Sequence, residues 1–174
     1  MANIKKYILT SVVLGSIAAV AAGLIAVTNL VTSKKIAENE QKSIALGIKS
    51  IFGDSASVKE EKDIEGQKYT VHLYEVSNEN NEFLGYAFRS EGSNMYGKVS
   101  LISGFSGSSH DFIKLYLVKN EQTYASTLVD NYINPLNSSS RDLEDVSCGA
   151  TYGAKLVRDM VKEASEVANS LWEK

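Results

Sequence analysis

Gln67-Lys68-Tyr69-Thr70-Val71-His72-Leu73-Tyr74-Glu75-Val76 is the stretch on which the fold turns. Tyr69, Val71 and Leu73 take one side of an extended chain; Thr70, His72 and Tyr74 take the other. That alternation has the period of a strand rather than of a helix. Ser77-Asn78-Glu79-Asn80-Asn81 is a polar turn after it.

Working downstream, Glu82 to Arg89 gives a second strand around Phe83, Leu84, Tyr86 and Phe88, and Ser90 to Asn94 reads as another turn. Tyr96 to Ser103 is a third strand, with Val99 and Leu101 on one side. Gly104 to Ser109 is a small-residue turn, and Asp111 to Lys119 is a fourth strand with Ile113, Leu115 and Leu117 on one face. Strands at this spacing, joined by short polar turns, predict an antiparallel meander. Ser126 to Ile133 reads as a short helix with Leu128, Val129 and Ile133 inward, stopped by Pro135. Asn137 to Ser140 is a polar loop. Tyr152 to Trp172 is a helix whose apolar stripe is Leu156, Val157, Met160, Val161, Ala164, Val167, Ala168 and Leu171. Arg158, Asp159, Lys162, Glu163 and Glu166 lie off that stripe.

Upstream, Lys5 and Lys6 precede an uncharged run from Tyr7 to Ser33. In its core, Ile8 to Val31, only Thr, Ser, Gly and Asn29 interrupt the Ala, Val, Leu and Ile residues. As a helix the core is about 36 Å long, enough to cross a bilayer with some tilt. Ala19-Val20-Ala21 has the small residues of a signal-peptide cleavage site, but the apolar run continues for about ten residues beyond it. An uncleaved signal-anchor is the expectation. Ile36, Glu40, Ile44, Ile48 and Phe52 then fall four apart, so the helix continues as a stalk until Gly53-Asp54 stops it, and Ser55 to Asp63 reads as loop. The expected fold class is α+β: an N-terminal transmembrane helix, then an antiparallel β-sheet domain packed with a C-terminal helix. The expected divisions are 1–6, a short cytoplasmic N-terminus; 7–33, the signal-anchor; 34–64, a helical stalk and loop; and 65–174, the folded domain. Lys5 and Lys6 nearly balance Lys34 and Lys35 in the positive-inside count. The short positive N-terminus tips the balance, which puts the domain on the extracytoplasmic side of the cell membrane.

Asp145-Val146-Ser147-Cys148-Gly149-Ala150-Thr151 leads into the last helix. Thr151 sits where an N-cap belongs, and a plain cap is one reading of it. The other is an anion site, because a helix N-terminus offers unpaired N–H groups and partial positive charge. Cys148, Gly149 and Ala150 add little bulk around the hydroxyl. A threonine hydroxyl is a poor nucleophile without a base, so chemistry on it would need a separate enzyme.

The motif resembles the flavin-attachment site of the covalent FMN-binding family, in which an acid stands six residues before a Thr and a small-Gly-Ala triplet leads into it. Gly85-Tyr86-Ala87-Phe88 resembles the family's strand that opens the sheet, and Tyr96-Gly97-Lys98-Val99 its turn into a strand. Where the family often has Glu-Thr-Pro-Gly-Leu-Gly, this chain has Gln122-Thr123-Tyr124-Ala125-Ser126-Thr127 and keeps the Thr. The resemblance covers roughly residues 65–170 and is greatest to the RnfG component of the Rnf electron-transport complex and the NqrC component of the sodium-translocating NADH:quinone reductase. It implies FMN joined covalently through a phosphoester to Thr151, with Ala150, Gly149, Cys148, Asp145 and Thr123 around the cofactor. It also implies a flavin transferase for maturation, membrane lipid and other subunits of a membrane redox complex as partners, and an electron-transfer role rather than stand-alone catalysis. Tyr86, Tyr96, Tyr124 and Tyr152 are candidates to stack on the flavin ring, although each also suits ordinary packing.

The net charge of −3 and the lack of a dominant basic patch argue against a nucleic-acid partner. One Cys excludes an intrachain disulfide, and no Cys/His set has metal-ligand spacing. His72 and His110 read as strand and loop residues, and no Ser/His/Asp or Cys/His arrangement supports a hydrolase. The rival reading is a membrane-tethered structural or binding module of the same fold without flavin.

Overall fold

The computed structural model describes residues 2–173. The chain forms two compact units, Met1–Gln41 and Lys42–Lys174, and helix α1, Ala2–Phe52, contributes residues to both. In the first unit Leu9, Leu14, Leu24 and Leu30 are exposed, so the helix is apolar without a buried stripe. Among the described residues, Tyr7–Phe52 is the helix long and apolar enough to cross a membrane.

The second unit is an α+β domain. Its sheet is a five-stranded antiparallel meander, in the order β1 (Ser57–Asp63), β2 (Thr70–Ser77), β3 (Phe83–Asn94), β4 (Gly97–Ser106) and β5 (Phe112–Asn120). β1 replaces part of the expected loop. All seven of its residues are exposed, so no apolar alternation marks it, and its pairing with β2 makes it a charged edge strand. β3 runs through the expected turn at Ser90 to Asn94, and β4 continues to Ser106. The expected face of β5 also needs correction. Leu115 and Leu117 face one core, but Ile113 packs with the other. A bulge opposite Gly104 and Phe105 supplies one extra residue and flips the alternation.

The sheet is covered on both sides. On one, Leu73, Phe88, Val99, Leu101, Phe105 and Leu115 pack beneath α4 (Thr151–Trp172), which buries Leu156, Val157, Met160, Val161, Ala164 and Ala168, the stripe expected from its period. A short helical stretch shares this core: α2 (Ala125–Leu128), a π turn (Val129–Ile133) and α3 (Asn134–Asn137). Pro135 does not stop it. It lies in the first turn of α3, where a missing N–H costs least, and the π turn precedes it. On the other face Ile48 and Ile51 of α1 pack against Tyr74, Val76, Ala87 and Ile102. That contact is close because Gly104 has no side chain: a Cβ there would lie 2.3 Å from Ile51 Cγ2.

Glu163 is not merely on the solvated side of α4. Its Oε1 accepts the backbone N–H groups of Tyr69 and Thr70, each at 2.7 Å, and its Oε2 accepts that of Lys68 at 3.0 Å. One carboxylate thus ties the start of β2 to the last helix. Burial alone would raise its pKa, but the three backbone donors outweigh that and hold it below the ordinary value.

Candidate functional site

The segment from Arg141 to Ala150 descends to the start of α4 as an ordered loop. Arg141 holds its first part: Nη1 donates to the carbonyls of Asp145 at 2.8 Å and Ser147 at 3.2 Å, and pairs with the Asp145 carboxylate at 3.1 Å. Asp145 Oδ1 accepts the N–H of Ser147. Tyr132 donates its hydroxyl to Leu143 O at 2.6 Å; burial raises this phenol's pKa, against the opposing pull of Arg158, and it stays a donor. Cys148 is buried, and Asn131 Nδ2 donates to its carbonyl. Gly149 has φ +82°, a left-handed conformation that favours glycine.

Ala150, at φ −114° and ψ 44°, is the N-cap, so the helix begins at Thr151 itself. This corrects the expected cap role of Thr151. Ala150 supplies no side-chain cap, and among the described residues the Thr151 hydroxyl makes no hydrogen bond. The hydroxyl lies in the first turn of a 22-residue helix with no acidic residue in that turn. Asn94 Nδ2 donates to Tyr152 O at 3.1 Å and ties this turn to the end of β3.

Thr151 borders a cavity of ≈ 260 Å³. Tyr96, Tyr124 and Tyr152 are its aromatic lining, with Tyr96 at ring-centroid distances of 6.0 Å from Tyr124 and 5.4 Å from Tyr152. Leu128 and Gln122, both buried, and Gly149, Ala150 and Gly153 complete it. An aromatic, mostly apolar cleft with a few convergent polar groups is the usual form of a small-molecule site, although its volume is just under the usual range of about 300–1,000 Å³. No carboxylate or imidazole is among the lining residues.

Of the residues expected from sequence, Thr151, Ala150 and Gly149 line the cavity together, as do Tyr96, Tyr124 and Tyr152. Cys148, Asp145 and Thr123 do not. Cys148 is turned into the core, Asp145 faces Arg141, and Thr123 bonds Tyr96 O through both its N–H and its hydroxyl. Tyr86 packs elsewhere, with Phe83, Phe88 and Trp172. His72 lies beside Asp63, and His110 stacks on Trp172. Gln122, Leu128 and Gly153 were not legible from the sequence as site residues, since they meet only where the β5–α2 connection crosses the start of α4. Among the described residues no group of three His, Cys, Asp or Glu side chains could hold a metal ion.

No curated protein matches the chain. Residues 1–46 match the family model described as the RnfG N-terminal region, so over that stretch, which includes the long apolar segment, this chain is similar to the RnfG component of the Rnf complex.

Proposed function

We propose that this chain is a membrane-anchored flavoprotein that carries FMN on Thr151 through a phosphoester and relays electrons as a subunit of an Rnf-type or related membrane redox complex. The observation that carries this reading is the Thr151 hydroxyl: unbonded, in the first turn of a long helix, and bordering an aromatic cavity. The Asp145-to-Thr151 motif and the similarity of residues 1–46 to the RnfG N-terminal region support it from opposite ends of the chain.

The residues suit such a group. The first-turn N–H groups of α4 and its macrodipole favour a phosphate at Thr151. Tyr96, Tyr124 and Tyr152 offer aromatic surface to a planar ring, and Leu128 excludes water beneath it. When bound, the flavin supplies the redox chemistry, and the protein supplies position and surroundings. Attachment forms a Thr151 Oγ1–P bond, releases the hydroxyl proton and expels a leaving group from an activated flavin phosphate. With no acid or imidazole lining the cavity, the base and the donor belong to a separate transferase. Lipid surrounds the apolar part of α1, and the domain lies on the extracytoplasmic side. Protease added outside intact cells should therefore cleave it; protection there with cleavage after lysis would reverse the topology.

The test is in-gel flavin fluorescence of the denatured chain, purified from a host co-expressing a flavin transferase. A fluorescent band that Thr151→Ala abolishes is the expected result. A dark wild-type band under conditions that label a known substrate would leave the membrane-tethered module without flavin.

A further inference from the structure

We infer that Gln122 positions the ring bound in the cavity, accepting a hydrogen bond from a ring N–H through its Oε1. The inference rests on the flavin reading above and goes beyond it in assigning the cavity's polar contact. Gln122 is 7% exposed. Its orientation is set by groups outside the cavity: Asn120 Oδ1 accepts its backbone N–H at 3.1 Å, and its Nε2 donates to Gly97 O at 2.5 Å. A carbonyl can only accept, so the amide nitrogen must face Gly97 and the amide oxygen must face the other way. There Oε1 accepts nothing among the described residues, and it lies 3.3 Å from where a Cβ on Gly153, another lining residue, would stand.

A buried amide oxygen is seldom left without a donor. The surrounding surface limits what that donor can be. Three tyrosine rings and Leu128 suit a flat, conjugated group, and an unpaired acceptor on a buried, fixed side chain suits an N–H at that group's edge. The pyrimidine portion of an isoalloxazine presents such a donor. Thr151 then holds the phosphate end and Gln122 the ring end of one ligand. Gly153 belongs to the same device, because any side chain there would enter the space beside Oε1 and meet Leu128 Cδ2 at 3.1 Å.

The experiment uses the full-length, FMN-loaded chain in detergent, with wild type, Gln122→Leu and Gly153→Ala compared. In-gel fluorescence after denaturation reads attachment. The visible absorption spectrum and iodide quenching of the native protein read whether the ring is seated. Gly153→Ala keeps the bond from Gln122 to Gly97, so it tests the same contact if Gln122→Leu fails to fold. The expected result is equal band intensity in all three proteins. Wild type should show a shifted spectrum and weak quenching, and both variants should move at least several-fold toward the quenching of the denatured chain. Native spectra and quenching that are unchanged in a folded variant would overturn the role of Gln122. So would a wild-type ring as exposed to iodide as in denaturant. A dark wild-type band instead refutes attachment, and this inference falls with it.

Discussion

Glu163→Gln is the sharpest test of how the domain is held together. The carboxylate accepts three backbone N–H groups from Lys68, Tyr69 and Thr70, at 3.0, 2.7 and 2.7 Å. Hydrogen bonds to a charged acceptor contribute about 1.5–3 kcal/mol each, against about 0.5–1.5 for neutral ones. In the glutamine variant Oε1 can still serve Tyr69 and Thr70, weakened by roughly 1 kcal/mol per bond, while an amide nitrogen opposite the Lys68 N–H forfeits that bond. Bonds sharing one acceptor group are not additive, so about 2–3 kcal/mol is expected in total. For a domain of this size that lowers Tm by roughly 6–12 °C. The assay is urea unfolding of the full chain in detergent, followed by fluorescence of its single tryptophan, Trp172, which stacks on His110 within the domain. The pH dependence is a second check. The native pKa of Glu163 is lowered, so its contribution is complete above the unfolded value of about 4.3 and is lost as pH falls through the native value. The difference between wild type and variant should therefore shrink in acid. A loss below about 0.5 kcal/mol at pH 7, or a difference that does not change on acidification, would refute the clamp.

Thr151→Ala should cost less than about 0.5 kcal/mol, because its hydroxyl makes no hydrogen bond and Ala150 holds the cap position; a loss of about 1–2 kcal/mol in the same urea assay would restore the cap role. Arg141→Ala removes the contacts to Asp145 and Ser147, so amide exchange over 142–149 should accelerate and transferase-dependent flavin attachment should slow several-fold. Unchanged exchange would show that the loop does not depend on that side chain. Gly97→Ala should destabilise the domain by roughly 2–4 kcal/mol, since φ is +134° and a Cβ would lie 2.1 Å from Glu121 O; a variant with wild-type Tm would show that the β3–β4 turn can relax.

Where one periodic pattern met one large partner, the chain was legible in advance. The stripe from Leu156 to Ala168 needs only the 3.6-residue period and a sheet to cover, and it packs as its spacing requires. The alternation from Tyr69 to Tyr74 places Leu73 and Tyr74 in opposite cores. β1 was missed because an edge strand exposed on both faces carries no apolar period, and Ile113 was misplaced because a bulge breaks the period without altering composition. At the site, the small residues before Thr151 and the tyrosines could be named from the chain, whereas Gln122 and Arg141 could not. Their significance lies in which carbonyls they reach, and those carbonyls are 25 and 4–6 residues away.

What the sequence by itself determined is what one segment can express alone. The long uncharged apolar run, the alternating strands, the amphipathic last helix and the small-residue loop before Thr151 are all local patterns of side chains. Only the tertiary structure decided which groups remain unpaired. Folding assigned the cap position to Ala150 and left the Thr151 hydroxyl without a partner. It turned Asp145 toward Arg141 and Cys148 into the core, and it brought Gln122 from the end of β5 to the first turn of α4. The physical reason is that hydrogen-bond satisfaction belongs to the whole fold. A polar side chain becomes available to a ligand only after every other donor and acceptor within reach has found its partner.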